Sequence, residues 1–239
     1  MADHRVRRAS ALTRIVRRYR RLAEPLADRV IGRIAADVTR RPDDSGESAA
    51  GNLIADAQLA ATAAAAGGGA VAAFMNPGGV RADFGFARNG AVTYGEAFTV
   101  QPFGNTLVTL SLTGAEIGEL LAQQWCGQEE PRVLAPSRTI AYRYDASAAA
   151  AVTGKPCAGA VSPVGGLTTG GAPVDPAATY RVTVNSFLAG GGDGFTMLES
   201  GRAARGGGVD ADALEAYLAP SLTGAPVTPP VRDRIAVVP

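Results

Sequence analysis

The stretch Asn185-Ser186-Phe187-Leu188-Ala189-Gly190-Gly191-Gly192-Asp193-Gly194-Phe195 decides how this chain is read. It follows an alternating run, Tyr180–Val184, that reads as a strand. Gly190, Gly191, Gly192 and Gly194 then break any regular element and let the backbone turn sharply. The run has no Gly-Lys-Ser/Thr end, so it is not a P-loop, and it lacks the spacing of a dinucleotide fingerprint. What remains is an aromatic ring, Phe187, and a carboxylate, Asp193, joined through glycines. A ring face can stack on a base and a carboxylate can accept ribose hydroxyls. The plainer alternative is that Asp193 only stabilises the turn.

Two further loops join glycines to a group able to recognise a ligand. In Asn76-Pro77-Gly78-Gly79-Val80-Arg81, Gly78 and Gly79 permit close backbone approach. Arg81 there offers a planar fork for phosphate or carboxylate, and Asn76 offers both a donor and an acceptor. In Gln101-Pro102-Phe103-Gly104-Asn105, an aromatic between Pro and Gly is poorly placed to pack inside a regular element. Phe103 at a surface is therefore one reading, with Asn105 able to read a polar base edge. Taken singly, the first loop reads more simply as a turn with an exposed Arg, and the second as a core Phe beside an Asx-turn.

Around these loops, helices and strands interleave, so the fold class is α+β (mixed α/β). Residues 10–36 show one apolar stripe on an Arg-covered rod: Leu12, Ile15, Val16, Tyr19, Leu22, Leu26, Val30 and Ile34. Pro25 either kinks this helix or starts a second one. A helix is expected from Ser48 to Ala66, stopped by Gly67-Gly68-Gly69, and Ala70–Met75 reads as a buried strand. Leu107–Leu112 alternates as a half-buried strand, and Thr113-x-x-Glu116 is a capping box that opens a helix running to Trp125. Thr139–Tyr144 reads as a strand, Asp210–Leu218 as a short helix and Ile235–Val238 as a closing strand. Ala148–Pro176 reads as a surface excursion.

Five segments in this order resemble the C-terminal domain of the 5′-nucleotidase family: Gly51-Asn52-Leu53-Ile54-Ala55-Asp56-Ala57, Asn76–Arg81, Pro102–Asn105, Leu112-Thr113-Gly114 and Asn185–Phe195. The resemblance covers about residues 46–239 and makes residues 1–45 a basic helical linker arm. It implies that Phe103 and Phe187 clamp the base and that Asn105, with Asn76, faces the base edge. Asp193 would hold the ribose and Arg81 would meet the phosphate. Gly78, Gly79, Gly191 and Gly192 would shape the backbone around the ligand. It also implies a secreted, periplasmic or cell-surface family of two-domain hydrolases. Their metal pair is held by an N-terminal metallophosphoesterase domain. That domain is not within these residues, so no catalytic residue, metal ligand or cofactor is expected in this chain, and the partner domain is expected in trans or lost. Several family members place a phosphate-contacting Arg just before the Gly-Asn-Leu segment. Here that neighbourhood is Ser45-Gly46-Glu47, with Arg41 the nearest Arg, which shifts the expected load onto Arg81.

Composition sets the bounds. The 239 residues carry 23 Lys+Arg, 22 Asp+Glu, one His and two Cys. An apolar share of 46% suits a folded core and is too high for disorder. A single His, His4 near the start of the chain, is too little for His-based metal or triad chemistry. The net charge of +1 hides a strongly basic arm: residues 1–42 hold twelve Arg and four acids. Read as a nucleic-acid or anionic-surface binder, this arm lacks a recognised binding motif, so a connecting helix with a solvated basic face is the preferred reading. Neither a membrane-spanning run nor a signal-peptide core is found, which on its face places the chain in the cytosol. A Cys126–Cys157 disulfide is expected only if the chain is exported; otherwise both are reduced thiols.

The resulting expectation is a nucleotide-binding domain of a 5′-nucleotidase-type hydrolase that binds nucleoside or nucleotide but hydrolyses nothing alone. The competing readings are a non-enzymatic nucleotide- or polyanion-binding module and an inactive fragment.

Overall fold

A computed structural model describes residues 9–238. His4 lies outside them. Along the chain, α1 (Ser10–Ala27) leads to β1 (Val30–Arg33), α2 (Ala49–Thr62), β2 (Ala72–Met75), β3 (Ala91–Thr93) and α3 (Tyr94–Val100). Next come β4 (Thr106–Thr113), α4 (Gly114–Ala122), β5 (Ala135–Pro136), β6 (Ile140–Asp145), α5 (Ala146–Val152), β7 (Val164–Thr169) and β8 (Ala172–Pro173). The chain closes with β9 (Thr179–Asn185), α6 (Ser186–Ala189), β10 (Arg202–Val209), α7 (Asp210–Leu218) and β11 (Ile235–Val238). The mixed α/β class is as expected.

A five-stranded sheet, ordered β10-β4-β9-β2-β5, forms the centre. β4 runs antiparallel to β9, and β2 runs parallel to β9. One face of the sheet turns Phe74, Leu110, Leu112, Val182 and Val184 into an apolar cluster with α4, β6 and Trp125. The other face lies under α2 and includes polar groups. There the Thr183 hydroxyl is shared with Thr62 and Thr109, each at 2.7 Å, so the buried oxygens are satisfied. A four-stranded sheet, β11-β6-β7-β8, closes the first cluster.

α2 is buried on all sides, from Ala49 to Leu59 and again at Thr62. Ser48 caps it by accepting from Gly51 N. Gly51 has a steric reason to be glycine: a Cβ there would stand 2.6 Å from the Ala135 Cβ. The Gly51–Ala57 segment also anchors the end of the chain. Asp56 receives both arms of Arg234, at 3.0 and 2.8 Å, with both side chains nearly buried. Glu47 accepts from the backbone N–H groups of Arg234 and Ile235 and from Asn52 Nδ2. Burial pushes the Glu47 carboxyl up, against the pull of those donors.

Thr113 and Glu116 close the expected capping box on α4, and a second box, Thr93 with Glu96, opens α3. Three expectations are corrected. The helix expected over 10–36 ends at Ala27, just after Pro25. Val30–Arg33 instead forms a strand paired with β3, and Ile31 and Ile34 are buried with Leu53, Ile54 and Leu214. Proline near the end of α1 and the apolar seat for Ile31 and Ile34 outweigh the continued helical spacing. The α2 helix stops at Thr62, short of Ala66. The excursion expected over 148–176 contains the end of α5 together with β7 and β8. There β7 pairs with β6, and β8 forms the sheet edge against β7.

Cys126 and Cys157 form a disulfide, so neither is free. No helix among the described residues is long and apolar enough to cross a membrane.

Candidate functional site

Sheet topology brings the three glycine loops together. Because β2 and β9 are parallel and β4 is antiparallel to β9, the ends of β2 and β9 and the start of β4 share one edge. β2 ends at Met75 and delivers Asn76–Arg81. β9 ends at Asn185 and delivers Phe187 and the loop to Asp193. Leu107 at the start of β4 pairs with Asn185, which sets Asn105 and Phe103 beside them.

The result is a cavity of about 280 Å³ lined by Asn76, Gly78, Gly79, Arg81, Phe103, Asn105, Phe187 and Asp193. Every side chain singled out in the three loops as a ligand contact lines it. Phe103 is 55% exposed and Phe187 47%, so two large rings stay open to solvent at a depression instead of packing inside. Gly192 permits the second ring's position, since a Cβ there would stand 2.6 Å from the Phe187 ring. Gly79 lets the loop fold over Met75, whose Cε would be 2.4 Å from a Cβ at that position. Gly191 and Asp193 both hold left-handed backbone, at φ 76° and 56°. That conformation is easy for glycine and costs aspartate about 1 kcal/mol or more.

The polar groups are already in register with one another. Asn76 Nδ2 donates to Asp193 Oδ2 at 2.7 Å, and Asn76 Oδ1 accepts from Asn185 Nδ2 at 3.0 Å. Asn76 is buried, and its amide is engaged at both ends; what it does here is hold Asp193. Asn185 also caps α6 by accepting from Leu188 N. Asn105 Oδ1 accepts from the Ser186 hydroxyl, and the Asn105 carbonyl accepts from Asp210 N at 2.8 Å; the Asp210 carboxyl is pushed up by burial. Arg81 lies exposed at the rim, donating to Gly78 O at 3.3 Å with its guanidinium 5.8 Å from the centre of the Phe103 ring.

Sequence reading missed two groups. Arg132 Nη1 donates to Asp193 Oδ1 at 2.9 Å, and Gln128 Nε2 donates to Asp193 O at 2.8 Å. Neither belongs to a glycine loop, so no local pattern marks them. Arg40 is a third guanidinium nearby. It donates to Val80 O at 3.3 Å and lines, with Arg41, a larger groove of about 750 Å³. That groove shares Asn76 with the cavity, but its aromatics, Trp125 and Tyr144, are buried against each other, with ring centres 4.6 Å apart. It offers no free ring face, so the smaller cavity is the better site for a flat ligand. Among the described residues no group of three or more His, Cys, Asp or Glu is placed to hold a metal ion.

The family model for the 5′-nucleotidase C-terminal domain matches residues 30–200. The chain belongs to the 5′-nucleotidase family, as its C-terminal domain. The match starts at β1, the strand that interrupts the expected long helix. The 5′-nucleotidase precursor of Thermus thermophilus superposes with a TM-score of 0.75 at 32% identity, over 95% of this chain and 43% of that one. Endonuclease YhcR of Bacillus subtilis is 32% identical over 73% of this chain and 12% of its own length. The cell wall protein Lmo0130 of Listeria monocytogenes is 33% identical over 74% of this chain and 22% of its own. The chain thus spans less than half the length of these relatives. Haemophilus influenzae NAD nucleotidase shares the fold, with a TM-score of 0.68 at 20% identity.

Proposed function

We propose that this chain is the nucleotide-binding domain of a 5′-nucleotidase-type phosphoester hydrolase. The observation that carries this reading is the pair of exposed rings, Phe103 and Phe187, on one cavity with Asp193 and Arg81. A base between two ring faces gains about 1–3 kcal/mol per stacked contact, with little preference among bases. Asn105 then reads the base edge, Asp193 accepts the ribose hydroxyls and Arg81 meets the phosphate. Binding and orientation are this chain's share of the reaction. A metal pair to support water attack on the phosphoester would be held by another domain or chain.

The arm fits the same reading. α1 has no buried residue, and Leu12, Ile15, Val16, Tyr19, Leu22 and Leu26 are all more than half exposed on one face. A metallophosphoesterase domain, linked or in trans, would cover that stripe. An exported or cell-surface location, as the cell-wall relative suggests, would suit the disulfide.

Titration calorimetry with AMP, adenosine and a UDP-sugar tests the reading. Binding that Phe103→Ala or Phe187→Ala weakens by about tenfold supports it. Absence of heat with all three ligands overturns it. Phosphate release from AMP by the purified chain with added Mn²⁺ would overturn the assignment of the metal centre to another domain.

A further inference from the structure

We propose that Arg132 is a positioning residue for Asp193, which sets the carboxylate so that it can take two ribose hydroxyls. The proposal rests on the reading of Asp193 as the ribose acceptor. Asp193 stands on a glycine-rich turn in left-handed backbone, where nothing in the turn itself fixes the side chain. Its fixation comes from outside. Asn76 Nδ2 binds Oδ2 at 2.7 Å, Arg132 Nη1 binds Oδ1 at 2.9 Å, and Gln128 Nε2 holds the backbone carbonyl at 2.8 Å. One donor on each carboxylate oxygen removes rotation about the last bond. An ionised carboxylate has about four acceptor positions, so about two stay free, one on each oxygen. That is the arrangement a vicinal diol needs.

The segment bearing Gln128 and Arg132 is itself held. Arg132 N donates to Gln124 O at 2.8 Å, Leu134 N to Gln124 Oε1 at 2.7 Å, and Gly127 N to Lys155 O at 2.7 Å. The Cys126–Cys157 disulfide closes the same region. Arg132 therefore approaches Asp193 from a fixed base. Its own side chain is 49% exposed against 18% for Asp193. A pair this open contributes little to folding stability, so replacing Arg132 leaves a folded protein whose ligand geometry has changed.

The test compares adenosine with 2′,3′-dideoxyadenosine by calorimetry on the full chain and on Arg132→Met, Arg132→Lys and Asp193→Asn. The unaltered protein is expected to prefer adenosine. Arg132→Met should cut that preference about fivefold, the scale of one ordinary hydrogen bond, with dideoxyadenosine affinity unchanged. Arg132→Lys should restore part of it. A merely structural role would weaken both nucleosides together. If the unaltered protein discriminates, Asp193→Asn abolishes the preference and Arg132→Met keeps it, the positioning role alone is overturned. If the unaltered protein binds both equally, or neither, the ribose reading of Asp193 has failed and the proposal falls with it.

Discussion

Asp56 on α2 and Arg234, the residue before β11, form a bidentate ion pair with both side chains nearly out of solvent, although 178 residues separate them. Arg234 also donates to Pro136 O at 2.7 Å, and Asp56 accepts from Arg138 N at 2.6 Å. Removing one partner leaves an uncompensated buried charge, which costs about 3–5 kcal/mol. Asp56→Asn and Arg234→Met should each lower the urea midpoint by a large fraction of total stability. Asp56→Leu combined with Arg234→Met should recover much of the loss. Denaturation followed by the emission of Trp125, the only tryptophan, provides the measurement. If the double replacement is as unstable as the sum of the singles, the pair's cost is not the buried charge.

This pair also shows what was legible in the sequence. The Gly51–Ala57 segment marks the family, and its Asp56 and Asn52 bond to Arg234 and Glu47 within the architecture. The three glycine loops were legible because each carries its own aromatic or charged group beside glycines, and strand order alone then joins them. β1 was not, because Val30 and Ile34 fit a helical stripe as well as they fit a short strand, and only the pairing with Ala91–Thr93 decides. β10 was hidden for a different reason. Arg202–Gly208 is exposed along its length, has no apolar alternation and is held by its pairing with β4. Arg132 and Gln128 were silent because their partner is more than sixty residues away and a turn rich in Glu and Pro has no binding signature.

The disulfide should matter for the loop that ends near the site. Cys126 and Cys157 are 31 residues apart, and closing a loop of this size restricts the unfolded chain by about 3–4 kcal/mol. Reduction, or Cys126→Ser with Cys157→Ser, should lower the thermal midpoint by many degrees. Because Gly127 and Gln128 bond to Lys155 and Gly154 beside the bridge, adenosine affinity should also fall. Melting with and without reductant checks the first effect. A count of two free thiols in protein taken from its native compartment would show that the bridge is not used there.

Acid should act through Glu116. Its hydrogen bonds to Arg202, first, and then to Thr113 N hold its carboxyl down at about 2. A carboxyl lowered in the folded state stabilises it above the ordinary value of 4.5, and the contribution is lost as pH falls from there toward 2. Glu116→Gln should therefore lower the thermal midpoint slightly at pH 7 and make no difference near pH 2. The effect is small because Arg202 is half exposed and water screens the pair. Melting curves from pH 7 to pH 2 for both proteins provide the check, and an undiminished gap at pH 2 would rule out Glu116 as the titrating group.

The arm should be separable from the domain. α1 buries none of its residues, whereas Ile31 and Ile34, just beyond it, are fully in the core with Leu53 and Leu214. Removing residues 1–27 therefore takes away an exposed apolar stripe and leaves the core whole. The urea midpoint and adenosine affinity should hold within error, and salt-sensitive binding to DNA, if the chain has any, should vanish. Removing residues 1–36 is the contrasting case. It deletes β1, breaks the pairing with Ala91–Thr93 and opens an apolar hole where two isoleucines packed, at about 2–5 kcal/mol for each large side chain lost. The shorter truncation should fold and the longer should not. Circular dichroism of both would decide it: equal loss of structure would mean that α1, despite its exposure, is needed to form β1.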